Sequence, residues 1–164
     1  MSQELTQLHL PVDIYSPEQS STLLMELHEY TAALQDAVIK AKVDTKATKT
    51  APEMSELLAS LVHSCEVAVD DATALDGLYR NLQTALKAAP TMHITLSALP
   101  GRTLKRRLTV WFRTQVHPLS LLTFTARSDI GGGIILQAGS HLYDHSFRQQ
   151  ILANPKRIGE LAGV

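Results

Sequence analysis

Cysteine is nearly absent from this sequence, because Cys65 is the only one among 164 residues. A single thiol excludes an internal disulfide and any zinc site built from several thiolates. We therefore expect the protein to work in a reducing compartment and to hold no structural zinc. The histidines show no ligand spacing that would replace the missing thiolates. His141 and His145 lie four residues apart, but an expected turn between them keeps them off a common helix face.

The sequence also lacks an excess of charge of either sign, and it lacks a long apolar run. Fifteen basic and sixteen acidic residues leave a formal net charge of −1, so no overall field attracts the chain to nucleic acid or to an anionic membrane. No run approaches the roughly 20 apolar residues of a membrane-spanning helix, and the N-terminus has no signal-like character. We expect a cytosolic protein that reaches a membrane only through partners.

Aromatic residues are scarce as well, at 5% of the chain, whereas alanine and leucine dominate, above all before residue 90. This composition favours helices that pack through aliphatic seams over a thick aromatic core. We predict three parts: an N-terminal arm over residues 1–15, a helical hairpin domain over residues 16–89, and a small αβ domain with a tail over residues 90–164.

The first helix has a recognisable start at Ser16, Pro17 and Gln19. A capping hydroxyl, a proline at the first helical position and a glutamine at the third occur together there. The apolar residues that follow recur every three or four positions up to about residue 43. This spacing predicts one amphipathic helix with a single apolar stripe.

A second helix is predicted over residues 52–88, after a solvated connection. Its apolar positions advance in alternating steps of four and three, the repeat of about 3.5 residues that is typical of a coiled-coil seam. The helix could break at residues 69–71 or at Gly77, but the register continues across both, so we predict one continuous helix. The two helices would form an antiparallel hairpin.

After Pro90 the apolar residues alternate with polar ones, which predicts a strand over residues 92–98. A helix over residues 102–115 and a second strand over residues 119–126 follow. The buried side of that helix is predicted to consist of Leu104, Leu108, Trp111 and Phe112, and the outward side mainly of Arg102, Lys105, Arg106 and Arg113. The outward cations form either a solvated face or a contact for an acidic protein surface or a nearby membrane.

Three consecutive glycines at residues 131–133 lead directly into an apolar run. Glycine adopts positive φ without strain, so this is a turn at the entrance of a strand. A second turn at residues 138–140 predicts a hairpin whose last strand stops at Asp144. Asp144 could then cap a helix from near His145. The whole chain is therefore predicted to be α+β, a helical hairpin followed by a β-α-β-β-α domain.

No catalytic or cofactor site is expected. The glycines precede a strand and no lysine follows them, which does not fit a phosphate-binding loop. Asp144, His145 and Ser146 are adjacent in sequence, so they cannot align as a hydrolase triad. Arg148 could instead reach back to Asp144 or face a partner. We expect no enzyme, no cofactor and no metal.

The ordered set of an Ile-Gly-Gly turn, an apolar strand, a glycine turn and Tyr-Asp-x-Ser-x-Arg resembles a known family. It is similar to the C-terminal end of the delta subunit of F-type ATP synthases, the family that includes the oligomycin-sensitivity-conferring protein. The similarity covers roughly residues 91–152. The matching positions are Ile130, Gly131, Gly132, Gly139, Tyr143, Asp144, Ser146, Arg148 and Leu152.

The resemblance implies a non-catalytic stator subunit, peripheral on the cytoplasmic face of the bacterial inner membrane. Its helical domain would hold the alpha subunits, and its C-terminal domain would hold the b-subunit stalk against rotor torque. The family's helical domain is larger than residues 16–89 can form, so two alternatives stay open. They are an E-type peripheral-stalk subunit of a V/A-type ATPase and an unrelated homodimeric coiled-coil adaptor.

Overall fold

The computed structural model describes residues 8–43 and 53–148. Over those residues the protein is α+β, with four α-helices and one mixed sheet of four strands. The elements in chain order are α1 (Pro17–Val43), α2 (Glu56–Ser64), α3 (Ala72–Ala88), β1 (Thr91–Leu96), α4 (Arg102–Gln115), β2 (Leu121–Ala126), β3 (Gly133–Ala138) and β4 (His141–Ser146). None of the helices in this part of the chain is long and apolar enough to cross a membrane.

Helix α1 begins where the sequence predicts. The Ser16 hydroxyl accepts from the amide of Gln19 at 3.2 Å, and the Gln19 carbonyl oxygen accepts from the amides of Ser16 and Tyr15 at 3.2 and 3.1 Å. This reciprocal capping satisfies amides that the first turn leaves without helical partners. The predicted apolar stripe is buried through Leu23, Leu27, Tyr30 and Leu34.

The prediction of one continuous helix over residues 52–88 is wrong, because α2 and α3 are separate helices. Glu66 ends α2 with a positive φ of 55°. The amide of Val67 donates to the carbonyl of Val62, and the amide of Glu66 donates to that of His63, both at 3.1 Å. These two bonds form a Schellman motif, which satisfies carbonyls that the end of a helix leaves free.

Helix α3 then starts with its own cap. The Asp71 carboxylate accepts from the amides of Thr73 and Ala74 at 2.9 and 3.1 Å, an arrangement that stabilises a helix N-terminus by about 1 kcal/mol. The seam residues are still buried on both sides of the break. They belong to a core within the chain that includes Leu58, Leu61, Leu75 and Leu82.

This core extends well beyond the helices. It also contains three residues of the N-terminal arm, which we define from here on as residues 8–15, one residue just before β2 and the first residue of β2. These five are Leu8, Leu10, Ile14, Leu119 and Leu121. We refer to residues 16–43 and 53–89 as the helical half and to residues 90–148 as the sheet half. The arm and the start of β2 therefore join the two halves through shared apolar packing.

The sheet has the strand order β2-β1-β3-β4. Strands β1 and β2 are parallel and connected by α4, whereas β3 and β4 are antiparallel additions beside β1. The predicted alternation of β1 is confirmed at its start, since Met92 and Ile94 are buried and His93 is exposed. The strand ends at Leu96, however, and Ala98, which was predicted on the same face as Ile94, lies beyond it and is exposed. Met92 and Ile94 form a second, smaller core with Phe112 of α4 and Leu122 of β2.

The end of the hairpin differs from the prediction. Strand β4 continues through His145 and Ser146, which pair with Ile134 and Gly133 of β3, so the strand does not stop at Asp144 and no helix starts at His145. The reason is Gly133, which lets β4 approach more closely than any side chain would allow. A Cβ atom at Gly133 would lie 2.3 Å from the His145 carbonyl oxygen. The remainder of the predicted last helix lies outside the described residues.

Candidate docking surface on helix α4

Helix α4 has the predicted bounds but is rotated relative to the predicted orientation. Leu104 and Trp111 were expected to be buried, yet they are 43% and 54% exposed. Thr109 is buried instead, and its hydroxyl donates to the carbonyl of Lys105 at 2.8 Å. A buried hydroxyl satisfied within its own helix costs little free energy, so polarity did not reveal the buried side of α4.

Arg113 was expected to face mainly outward, but the arm lies over its guanidinium. One terminal nitrogen donates to the carbonyls of Leu10 and Pro11 at 2.8 and 3.0 Å, and the other donates to the carbonyl of Ile14. Burial lowers the pKa of Arg113 to about 10, which still leaves it a cation at neutral pH. Its charge therefore holds the carbonyls of Leu10 and Ile14, and it adds a second donor to the carbonyl of Pro11, which already accepts from the amide of Ile14 at 3.0 Å.

Arg102 and Arg106 share one carboxylate of the arm. Asp13 lies 3.3 Å from an Arg102 terminal nitrogen and 3.8 Å from the Arg106 Nε atom. Lys105 donates to the Tyr15 hydroxyl at 3.2 Å. The four cations singled out as possible partner-binding residues thus all contact the arm of their own chain.

Tyr15 fixes the other end of the arm on the sheet. The amide of Leu122 donates to the Tyr15 carbonyl at 2.6 Å, which places the arm on the outer edge of β2. The Tyr15 ring meets the Phe124 ring edge-on at a centroid distance of 5.9 Å. The Lys105 ammonium lies 5.3 Å from the Tyr15 centroid and 5.7 Å from that of Phe124, within the range of cation–π attraction.

A groove runs along α4 beside the docked arm. Its volume is about 510 Å³, and it is lined by Val12, Arg106, Arg107, Val110, Trp111, Thr114 and Gln115. We refer to it as the α4 groove. Trp111 is held edge-on against Phe112 at a centroid distance of 4.9 Å. Arg107 has no hydrogen-bond or ion-pair partner among the described residues. The groove therefore combines an apolar lining with an uncompensated cation.

Sequence reasoning missed the α4 groove, although one signal was present. Apolar residues occur at positions 104, 108, 110, 111, 112 and 116, which is too many for a single face of an amphipathic helix. Only part of this set can pack on the sheet. The remainder, including Val110, Trp111 and Val116 at 49 to 54% exposure, had to face elsewhere.

The glycine turn of the family-like motif has the positive φ values that the sequence predicts. Gly131, Gly132 and Gly133 have φ values of 68°, 119° and 79°, all in the region that residues with a side chain rarely adopt. Ile130 beside them is fully buried. Gly139, with φ of 57°, occupies the two-residue loop of the β3–β4 hairpin, as predicted.

The polar motif residues lie on the hairpin and the segment after it. The Asp144 carboxylate accepts from the amide of Ser146 at 2.9 Å, and hydrogen bonds from Ser146 lower the pKa of Asp144. Arg148 lies 3.9 Å from Asp129, so its nearest ion-pair partner is on the glycine turn. Tyr143 is about half exposed on β4. Leu152 lies outside the described residues.

The described residues hold no group of three side chains that could ligate a metal. No protein-family model and no curated protein matches this sequence.

Proposed function

We propose that this protein is a delta-type peripheral-stalk subunit of a rotary F-type ATP synthase. It catalyses nothing itself. It is peripheral on the cytoplasmic face of the bacterial inner membrane and contacts that membrane only through its partners. It binds the alpha subunits of the catalytic head and the b-subunit stalk, and it prevents the head from turning with the rotor.

The observation that carries the proposal is the glycine turn between β2 and β3. The Ile-Gly-Gly motif lies where the chain leaves a β-α-β unit and enters an antiparallel hairpin. Gly139 of the motif lies in the hairpin loop, and the Tyr-Asp-x-Ser residues of the motif lie on the last strand. The family-like residues up to Ser146 therefore have mutually consistent backbone roles in one small sheet, which supports the resemblance over its described part, residues 91–148.

A stator connector must transmit force between two binding surfaces. The arm suits this task because it is fastened to both halves. Leu8, Leu10 and Ile14 pack in the core of the helical half, while Asp13 and the backbone carbonyls of the arm are held by α4. Apolar burial and charged hydrogen bonds resist displacement together, so the two halves can move as a unit under load.

The alternative of a homodimeric coiled-coil adaptor fits less well. Such an adaptor needs an apolar seam available to a second chain. The predicted seam is interrupted at Glu66, and its leucines are buried within the chain's own core. An E-type stalk subunit of a V/A-type ATPase belongs to the same functional class, and the identity of the recovered partners separates it from the delta type.

The test is recovery of partners by tagged full-length protein from detergent-solubilised membranes of the source organism. We expect the alpha, beta and b subunits of an F-type ATP synthase, identified by mass spectrometry. An unrelated protein with the same tag is the control. Catalytic subunits of a V/A-type enzyme would favour the E-type alternative. Recovery of neither set, with a stable homodimer in light scattering, would support the adaptor and defeat the proposal.

A further inference from the structure

We propose that the α4 groove is the binding site for an amphipathic helix that carries acidic residues and belongs to a partner protein. Apolar side chains of that helix pack on Val110 and Trp111, and its carboxylates pair with Arg107 and Arg106. The inference rests on the proposed function for the source of the helix, which is the stalk subunit. The chemistry of the site follows from the groove itself.

The shape and the apolar lining of the α4 groove suit one face of a helix. A volume of about 510 Å³ accommodates several side chains from one face of a helix, the binding mode in which an amphipathic helix lies in an apolar groove. Trp111 supplies a large contact area, and its contact with Phe112 limits the conformational entropy that it loses on binding. Tryptophan in such a setting is a common centre of binding energy.

Helix α4 carries more positive charge than its neighbours in the chain compensate. The helix contains five basic residues and no acidic one: Arg102, Lys105, Arg106, Arg107 and Arg113. The arm contributes a single carboxylate to them, that of Asp13, which Arg102 and Arg106 share. Arg107 has no such partner among the described residues. An occupant with carboxylates beside its apolar residues would cover the apolar lining of the groove and neutralise the charge of Arg107.

An anionic lipid surface is a weaker match. A bilayer is flat on the scale of one side chain, so it is contacted by side chains that protrude. The α4 groove is a wide, open depression, and Val12 of the docked arm forms one of its walls. A helix fits that shape better than a membrane does. The membrane is therefore treated as an outcome that would count against the inference.

Trp111 is the only tryptophan of the chain, so its fluorescence reports on this groove alone. The probe is a synthetic amphipathic helix with leucine on one face and glutamate on the other. The control probe has lysine in place of glutamate. We expect the glutamate peptide to shift Trp111 emission to shorter wavelength, with an affinity that falls as salt is raised, and the lysine peptide to have no effect.

Charge reversal tests the role of Arg107. Arg107→Glu is expected to weaken binding of the glutamate peptide at least tenfold, because it replaces an attraction with a repulsion. Lys87→Glu, at an exposed position of α3, is the matched control and should bind as the wild type does. Equal binding of both peptides, or equal affinity of the Arg107 and Lys87 variants, would overturn the inference.

Three other occupants are separated by the same fluorescence signal. If acrylamide fails to quench Trp111 fluorescence in the free protein at every protein concentration tested, a segment of the same chain covers the groove. If quenching appears only on dilution, a second copy covers it. A response to phosphatidylglycerol vesicles without a response to the glutamate peptide identifies a lipid surface. Each of these results counts against a partner helix.

The partner-recovery experiment separates this inference from the proposed function. Val110→Asp and Arg107→Glu should lose the b subunit while keeping the alpha subunits, whereas Ile39→Asp, at an exposed apolar position of α1, should keep both. If the variants recover b as well as the wild type does, the groove inference fails and the stator proposal stands. If the wild type recovers no synthase subunit, the stator proposal fails and the peptide titration decides on the groove alone.

Discussion

The helical half and the sheet half are stabilised by different means. The helical half shares a large core with the arm and the start of β2, built mostly from leucine side chains on α1, α2 and α3. The sheet half has a core of only four buried residues, Met92, Ile94, Phe112 and Leu122, and β4 is exposed along most of its length. Side-chain burial therefore dominates in the first half, and strand pairing with permissive backbone conformations dominates in the second.

Because of this difference, glycine has opposite effects on the stability of the folded protein in the two halves. Gly133 has φ of 79° and faces the β4 backbone, so the sheet half depends on it. Gly77 lies inside α3 with open space around it, where glycine only adds flexibility to the unfolded chain. One substitution made at both positions therefore tests the difference directly.

The largest expected effect is that of Gly133→Ala. The new methyl group would meet the His145 carbonyl oxygen at 2.3 Å, and the positive φ adds strain of about 1–3 kcal/mol. We expect a loss of about 3 kcal/mol or more in the free energy of unfolding, measured by urea denaturation. The matched control, Gly77→Ala, should gain up to about 1 kcal/mol. Equal effects at the two sites would contradict the comparison.

The second prediction concerns the attachment of the arm to both halves. Arg113→Met keeps most of the side-chain volume but removes the donors to three arm carbonyls. The carbonyls of Leu10 and Ile14 lose these donors in a partly buried site, whereas that of Pro11 keeps the Ile14 amide. We therefore expect a loss of about 2–4 kcal/mol in the free energy of unfolding. Hydrogen exchange at the Leu122 amide, which bonds to Tyr15, should accelerate more than exchange within α1.

The control for that prediction is Arg80→Met. Arg80 pairs with Asp76 at 2.9 Å, but its side chain is 76% exposed, and exposed pairs contribute about 0–1 kcal/mol. If both arginine variants lose the same small amount of stability, the arm is not fastened through Arg113.

The third prediction tests the break between α2 and α3 through the sign of an effect. Glu66 has a positive φ of 55°, so Glu66→Gly relieves strain and should raise the free energy of unfolding by about 1 kcal/mol. In a continuous helix the same substitution would lower it by about 1 kcal/mol. Ala59→Gly, at an exposed position inside α2, provides that helical reference. If Glu66→Gly and Ala59→Gly both lower the free energy of unfolding, the result would favour one continuous helix over residues 52–88.

Local chemistry predicted much of this structure from sequence. The reciprocal cap at the start of α1, the alternation of β1 and the glycine turns each depend on residues within a few positions of one another. For that reason the start of α1, strands β1 to β3, the bounds of α4 and the β3–β4 loop were predicted close to where they lie, whereas β4 continues beyond its predicted end at Asp144.

The features that sequence did not predict depend on distant or competing contacts. At the break after α2, Glu66 occupies the position of positive φ where glycine is usual, so the residue type did not indicate a helix end. The apolar register also continues across the break. The orientation of α4 depends on the arm, and Arg113 contacts Leu10 across 103 residues of sequence. The arm contributes Val12 to the wall of the α4 groove. The surplus of apolar residues on α4 therefore indicated an exposed apolar face, but not the groove beside it.

The smallest expected effect belongs to the glycine turn and appears in its pH dependence. Arg127 donates to the Asp129 carboxylate at 2.6 Å, and this bond lowers the pKa of Asp129 below its usual range. A carboxyl group with a lowered folded-state pKa stabilises the protein above its unfolded-state pKa, about 3.9 for aspartate. That contribution is lost as the pH falls through the lower, folded-state pKa.

Asp129→Asn should therefore lower the melting temperature slightly at pH 7, and the difference from wild type should shrink as the pH falls below about 4. Thermal melts across that range, repeated with Arg127→Gln and the double variant, make the measurement a thermodynamic cycle. Because both side chains are about half exposed, added salt should reduce the effect. A difference that persists unchanged at pH 2 would mean that the asparagine acts on the turn through its backbone and not through the lost charge.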